Sequence, residues 1–217
     1  MKKLIYNKVD KAMLSSLKKV EFYGRIIVVN TTYGAQKAVD YLLSQPVLGF
    51  DTETRPAFEK GKHYHCALLQ VATTTECFLF RLNRIGLCPA VVRLLSDKTV
   101  TKVGLAWNND MLSLRELGKF EAGHFIDLQK MVRELGIEDQ SLVKIYANLF
   151  GERISKTERL SNWERTELKE SQKVYAAIDA WACVRMYNEV SRLLATRDYE
   201  LVIQPSENDS NDETNLS

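Results

Sequence analysis

Three apolar runs, Val47 to Glu53, Ala67 to Ala72 and Glu76 to Leu82, restrict the fold of this chain more than any other feature. Each has strand length and composition, and the last two are separated only by the turn-like Thr73-Thr74-Thr75. They predict an antiparallel meander. Upstream, Arg25 to Asn30 is a β-branched strand, and Thr31 or Thr32 can cap a helix over Ala35 to Leu43 that stops before Pro46. Pro89 to Leu95 reads as a short helix with Pro in its first turn, and Thr99 to Ala106 returns to strand. Beyond Asp110 the pattern turns helical, with apolar residues three and four apart in Met111 to Leu117, Leu128 to Leu135 and Leu142 to Phe150. A polar loop over 151–166 leads into a long amphipathic helix, Glu167 to Leu194. Strands first and helices later predict an α/β or α+β sheet covered by helices.

At 217 residues the chain suits one domain with a proper core. No apolar run approaches the roughly 18 residues of a membrane span, and the N-terminus lacks a signal-peptide core, so no membrane partner and a cytoplasmic location are expected. Cys66, Cys77, Cys88 and Cys183 show no Cys-x-x-Cys pairing and read as reduced core thiols. His63 and His65 form a His-x-His in a polar stretch with no third ligand nearby in sequence, and so read as an exposed loop. The net charge of +2 conceals an acidic end: 205–217 holds four acids and no base, leaving +6 over residues 1–204 from 30 bases and 24 acids. The expected organisation is a basic N-terminal arm or helix over 1–24, a folded domain over 25–200 and an acidic disordered tail over 201–217.

Asp51 and Glu53 end the first apolar run. In an extended strand, side chains two apart share a face, so the two carboxylates converge. Such a pair repels unless a cation lies between them, and Mg²⁺ takes oxygen ligands of this kind. An Asp-x-Glu taken alone is equally an acidic turn. Asp110, at a helix start, reads as a cap or as a further ligand. Asp179 sits on an apolar helical stripe, where a lone buried carboxylate needs a partner. Tyr175, one turn earlier on the same face, supplies either a buried Tyr–Asp hydrogen bond or a phenol positioned beside a metal-binding carboxylate.

Taken together, Asp51, Glu53, Asp110, Tyr175 and Asp179 resemble the tyrosine subclass of the DEDD superfamily of 3′–5′ exonucleases, on the Werner-syndrome exonuclease and ribonuclease D branch. Phe50-Asp51-Thr52-Glu53 with Pro56, Gly61 and Leu68-Leu69-Gln70 matches the first motif of that branch. Val103-Gly104-Leu105 with Asp110 is similar to the second. Lys156 to Trp163 followed by Gln172 to Ala180 looks like the third. The resemblance runs from about Arg25 to Leu194. Proofreading domains place Asn four residues before the second-motif Asp, where this chain has Ala106, so the stand-alone branch fits better.

The resemblance implies a ribonuclease H-like mixed sheet, an antiparallel meander plus parallel strands flanked by helices. It also implies two divalent ions, Mg²⁺ or Mn²⁺, about 3.5–4 Å apart. Asp51 would bridge them, Glu53 and Asp179 would complete one, Asp110 would hold the other, and Tyr175 would orient the attacking water. The implied partner is nucleic acid, entered at single-stranded or recessed 3′ ends, with DNA ahead of RNA and nucleoside 5′-monophosphates as products. Thr52, Arg55, Lys156 and Arg159 are the candidate substrate contacts, and Arg55 opens a loop interleaving Phe58, Lys60, Lys62, His63 and Tyr64 that is either a base-stacking surface or a solvated loop. Trp163 reads as a core anchor and Asp127 as a helix cap. The alternatives are ribonuclease D-like RNA 3′ processing, a non-catalytic nucleic-acid-binding module, and a small-molecule phosphohydrolase.

Overall fold

The computed structural model describes residues 2–204. Along the chain run β1 (Lys3–Tyr6), α1 (Lys11–Ser16), β2 (Lys18–Lys19), β3 (Arg25–Val29), α2 (Thr32–Leu42) and β4 (Val47–Thr54). Then come β5 (Cys66–Ala72), β6 (Glu76–Phe80), α3 (Leu82–Ile85), α4 (Pro89–Ser96), β7 (Thr101–Gly104) and α5 (Asn108–Leu117). The remainder is β8 (Phe125–Asp127), α6 (Leu128–Glu134), α7 (Leu142–Phe150), β9 (Glu152–Arg153), α8 (Glu170–Thr196) and β10 (Tyr199–Val202).

The main sheet has the order β3-β6-β5-β4-β7-β8. β4, β5 and β6 form the antiparallel meander, while β3 on β6, β7 on β4 and β8 on β7 pair in parallel. This is the mixed α/β sheet the sequence implied. Alternation along β4 sorts its side chains: Leu48 and Phe50 join the core against α2 and α4, whereas Gly49 faces α8. Asp51 and Glu53, in phase with Gly49, therefore lie on the α8 side. β5 is buried along its whole length because helices cover both faces. Its Leu68 and Ala72 meet Ala176, Ala177 and Ala180 of α8, small residues that let the helix lie low on the sheet.

Local signals held where the chemistry is local. The Thr31 hydroxyl accepts from the Gly34 amide at 3.0 Å, so α2 starts at Thr32, ahead of the expected Ala35. Pro89 opens α4. All four cysteines are buried and free. No helix among the described residues is long and apolar enough to cross a membrane.

Of the expected N-terminal arm or helix, α1 supplies a short helix over Lys11–Ser16, but the loose arm needs correction. β1 pairs in parallel with β10, β2 pairs with β9, and Ile5, Val9 and Val20 are buried between the lysines that suggested a solvated arm. The Asn148 side chain of α7 clips this strand by donating to the Tyr6 carbonyl at 2.6 Å and accepting from the Tyr6 amide at 2.9 Å. The tail boundary at 201 moves as well, since β10 continues to Val202. The rest of the expected acidic tail, 205–217, lies outside the described residues.

Candidate active site

The site exists because one residue of β4 has no side chain. A Cβ on Gly49 would lie 2.0 Å from the Ala180 carbonyl oxygen, so glycine is what admits α8 this close to the sheet. Asp179 precedes Ala180, and it is thereby brought onto Asp51 and Glu53. Carboxylate oxygens of Asp51, Glu53 and Asp179 all fall within 4.8 Å of one another. Asp110 arrives from the other side, in the first turn of α5 behind β7. The cap reading of Asp110 is not realised, because Trp107 occupies the cap position and makes no side-chain cap bond. Instead Asp110 accepts a hydrogen bond from the Thr52 hydroxyl, between Asp51 and Glu53 on β4.

Asp127 has a second task beyond its expected cap. It accepts from the Gln129 amide at 2.9 Å as a cap, and from the Ala106 amide at 3.1 Å. Ala106 is left-handed at φ 54°, a conformation costing a non-glycine residue about 1–2 kcal/mol. The bond helps hold the turn that delivers Asp110. Gln70, a member of the first motif, gains its place only from the fold. It lies directly opposite Asp51 across the β4–β5 pair, fully buried, with both amide atoms unpartnered. Cross-strand partners share a face, so this amide sits against the carboxylate cluster.

Tyr175 packs on Trp163, ring centroids 6.0 Å apart, and Trp163 is fully buried as the expected anchor. The loop before α8 is tied down by Gln172, whose amide donates to the Ser161 hydroxyl at 2.8 Å and the Asn162 carbonyl at 3.2 Å. Arg81 and Arg84 hold the same loop through the carbonyls of Arg165 and Thr166. That loop brings Lys156 and Arg159 into one cavity of about 290 Å³ with Asp51, Thr52, Glu53, Tyr175 and Asp179. Arg55 lies outside this cavity, paired with Glu164 at 3.4 Å and stacked 4.6 Å over the Tyr64 ring. Thr52 lines this cavity, with its hydroxyl engaged by Asp110.

Burial and mutual repulsion dominate the electrostatics. Burial, then the charges of Asp179, Asp110 and Glu53, push the Asp51 carboxyl well above the usual carboxylate range. Burial also raises Glu53 to about 9, with Asp179 and Asp110 adding to it and Arg159 opposing. Asp179 rises to about 7, again by burial, partly offset by Tyr175, and Asp110 is raised too. Burial and the neighbouring acids push the Tyr175 phenol far up, so it stays protonated. No lysine or arginine forms an ion pair with Asp51, Glu53 or Asp179 among the described residues. A buried set of oxygen donors, mutually repelling and with none of the three acids ion-paired among the described residues, fits divalent cations such as Mg²⁺ or Mn²⁺.

A pH test follows from Glu53. Its stabilising contribution to the metal-free fold is intact below its unfolded value of about 4.3 and is lost as pH rises toward its folded value of about 9. In EDTA, Glu53→Gln is therefore expected to melt with the wild type at about pH 4 and above it at about pH 8. Equal melting temperatures at both pH values in a thermal scan would refute the assignment of repulsion to this cluster.

A central-strand acid pair faced by a helical acid, on a six-stranded mixed sheet, is a carboxylate group that could hold a metal ion on a ribonuclease H-like fold. Solved structures of similar fold include the Aedes aegypti Nibbler EXO domain, with a TM-score of 0.71 at 20% identity, covering 81% of this chain and 91% of that one. The catalytic core of RRP6 from Trypanosoma brucei gives 0.72 at 17% identity, covering 87% and 53%. A family model described as 3′–5′ exonuclease matches residues 26–195, and the chain belongs to that family. Among its relatives, the bifunctional 3′–5′ exonuclease/ATP-dependent helicase WRN of Mus musculus is 29% identical over 153 residues, 68% of this chain and 11% of that protein. Exonuclease 3′–5′ domain-containing protein 2 of Drosophila melanogaster is 30% identical over 203 residues, 86% and 34% respectively. The chain thus spans from 11% to 34% of these relatives' length.

Proposed function

We propose that this chain removes nucleotides one at a time from the 3′ end of nucleic acid with Mg²⁺ or Mn²⁺, releasing nucleoside 5′-monophosphates, and acts on DNA ahead of RNA at single-stranded or recessed ends. The meeting of Asp51, Glu53 and Asp179 from two separate elements, with Tyr175 alongside, carries the reading. Asp51, Glu53, Asp110 and Asp179 would hold two cations. When bound, these would neutralise charge on the phosphoryl oxygens and lower the pKa of an attacking water. Tyr175, kept protonated, orients that water by its hydroxyl rather than removing its proton. Lys156 and Arg159, which line the same cavity, would meet the backbone phosphate. Trp163 fixes the Tyr175 ring from behind.

Tyr175→Phe is accordingly expected to lose about 10²–10⁴-fold in turnover, the usual scale for a positioned proton-handling group, while its melting temperature stays near wild type. Steady-state rates on a 3′-labelled strand provide the measurement. Full activity in Tyr175→Phe would remove the residue from the mechanism.

RNA is the second reading. Ribonuclease D of Gluconacetobacter diazotrophicus is 31% identical over 159 residues, 70% of this chain and 39% of that protein. A Trypanosoma brucei RNase D complex with RNA U12 shares the fold at a TM-score of 0.66. Digestion of matched 5′-labelled DNA and RNA strands, single-stranded and recessed, with Mg²⁺ or Mn²⁺ distinguishes the two. Faster 3′ shortening of DNA supports the proposal. Faster RNA shortening supports the second reading, and salt-dependent binding without cleavage of either strand would leave a non-catalytic binding module.

A further inference from the structure

We propose that His63, His65 and Glu116 form a separate site for a borderline d-block cation, Zn²⁺ first, which fastens the loop after β4 to helix α5. The two histidines have no third ligand near them in sequence, but the fold supplies one from a distance. The Nε2 atom of His63 lies 2.9 Å from Glu116 Oε2, and His65 Nδ1 lies 3.4 Å from the same oxygen. The ligand atoms of all three residues fall within 4.8 Å of one another. Ligands bonded at about 2.0–2.1 Å to a tetrahedral ion stand about 3.3–3.4 Å apart, so a small adjustment seats such an ion between them. The rings meet edge to face, 88° apart with centroids at 5.4 Å, so they do not stack.

Ligand chemistry separates this site from the carboxylate cluster. Imidazole nitrogen with one carboxylate suits Zn²⁺ and its d-block neighbours, whereas Mg²⁺ keeps to oxygen. All three side chains are exposed, so an ion enters freely and its fourth position is left to water. In water, hydrogen bonds between exposed imidazoles and a carboxylate are weak, and two rings converging on a single oxygen are better held by a shared ion.

The position gives the site its consequence. His63 and His65 end the segment carrying Arg55, Phe58, Lys62 and Tyr64, which lines a small cavity beside Leu160, Ser161 and Asn162. Glu116 stands on α5, the helix that bears Asp110. An ion held by the three therefore ties this basic and aromatic loop to the helix whose Asp110 accepts from Thr52 on β4. The cation site itself does not rest on the exonuclease reading.

The test uses the full chain with the carboxylate centre disabled by Asp51→Asn and Asp179→Asn, titrated calorimetrically with Zn²⁺. One Zn²⁺ per chain is expected to bind in that background, with Co²⁺ giving the visible absorption of low-symmetry nitrogen and oxygen ligation. Adding His63→Ala, His65→Ala or Glu116→Gln is expected to weaken Zn²⁺ by about tenfold or more. Trypsin cleavage at Lys60 and Lys62 is expected to slow on adding Zn²⁺ and to be insensitive to it in the His65→Ala variant. Circular dichroism checks that these surface variants fold. No Zn²⁺ bound in the disabled background, or binding indifferent to all three substitutions, would overturn the site and leave ordinary His–Glu hydrogen bonds. Binding without protection of the loop would overturn the clamp.

Discussion

Asp51→Asn is expected to yield a folded protein whose turnover falls by about 10³-fold or more. Asp51 sits between Glu53 on its own strand and Asp179 on α8, and its ionisation is opposed by both of them and by Asp110. A neutral amide there replaces one carboxylate oxygen by an NH₂ that cannot bind a cation and removes the negative charge, while relieving the repulsion around it. Two readouts should consequently move in opposite directions: without metal and near neutral pH the variant melts higher than the wild type, while its exonuclease activity drops to background. Loss of both stability and activity would point to a structural role for Asp51. Retention of wild-type turnover with Mg²⁺ or Mn²⁺ would end the case for the site altogether.

Gly49→Ala is the second large effect. The added methyl would lie 2.0 Å from the Ala180 carbonyl oxygen and 2.8 Å from Val184 Cγ2. The first of these atoms belongs to the backbone of α8, so no rotamer change relieves the clash and the helix must move. Overpacking of this kind costs about 1–3 kcal/mol, occasionally more. The displaced helix carries Asp179 and Tyr175 with it, and a misplacement of about 1 Å at a reacting centre can cost on the order of 10²-fold in rate. Chemical denaturation and steady-state kinetics measure the two effects separately. Unchanged stability and rate in Gly49→Ala would show that the close approach of β4 and α8 is not what assembles the site.

The acid pair on β4 was legible because its geometry is local: a two-residue spacing in a strand fixes a shared face whatever the rest of the chain does. Asp179 was legible for a different reason, since a carboxylate on an apolar helical stripe demands a partner. Pro89 and Thr31 announced their helices through backbone chemistry confined to a few residues. What escaped was non-local. Nothing near Ile5 indicates that its strand partner is Leu201. Phe125 to Asp127 is too short to show a period, and it becomes a strand only because β7 offers an open edge. Asp110 looked like a cap because its neighbours permit one, and only the fold reveals that Thr52 takes up its carboxylate. Gln70 was legible only as a member of the first motif, and Glu116 carried no signal, because the groups that give each of them meaning lie on other elements.

The ribbon made by the first and last strands bears on how this unit is cut for experiments. A fragment trimmed at residue 25, or stopped at residue 198, would lose one half of a two-stranded clasp and strip cover from the other, including Ile5, which is fully buried in the intact chain. Either shortened fragment would present an unpaired edge and invite self-association, so safe boundaries lie outside Lys3 and Val202.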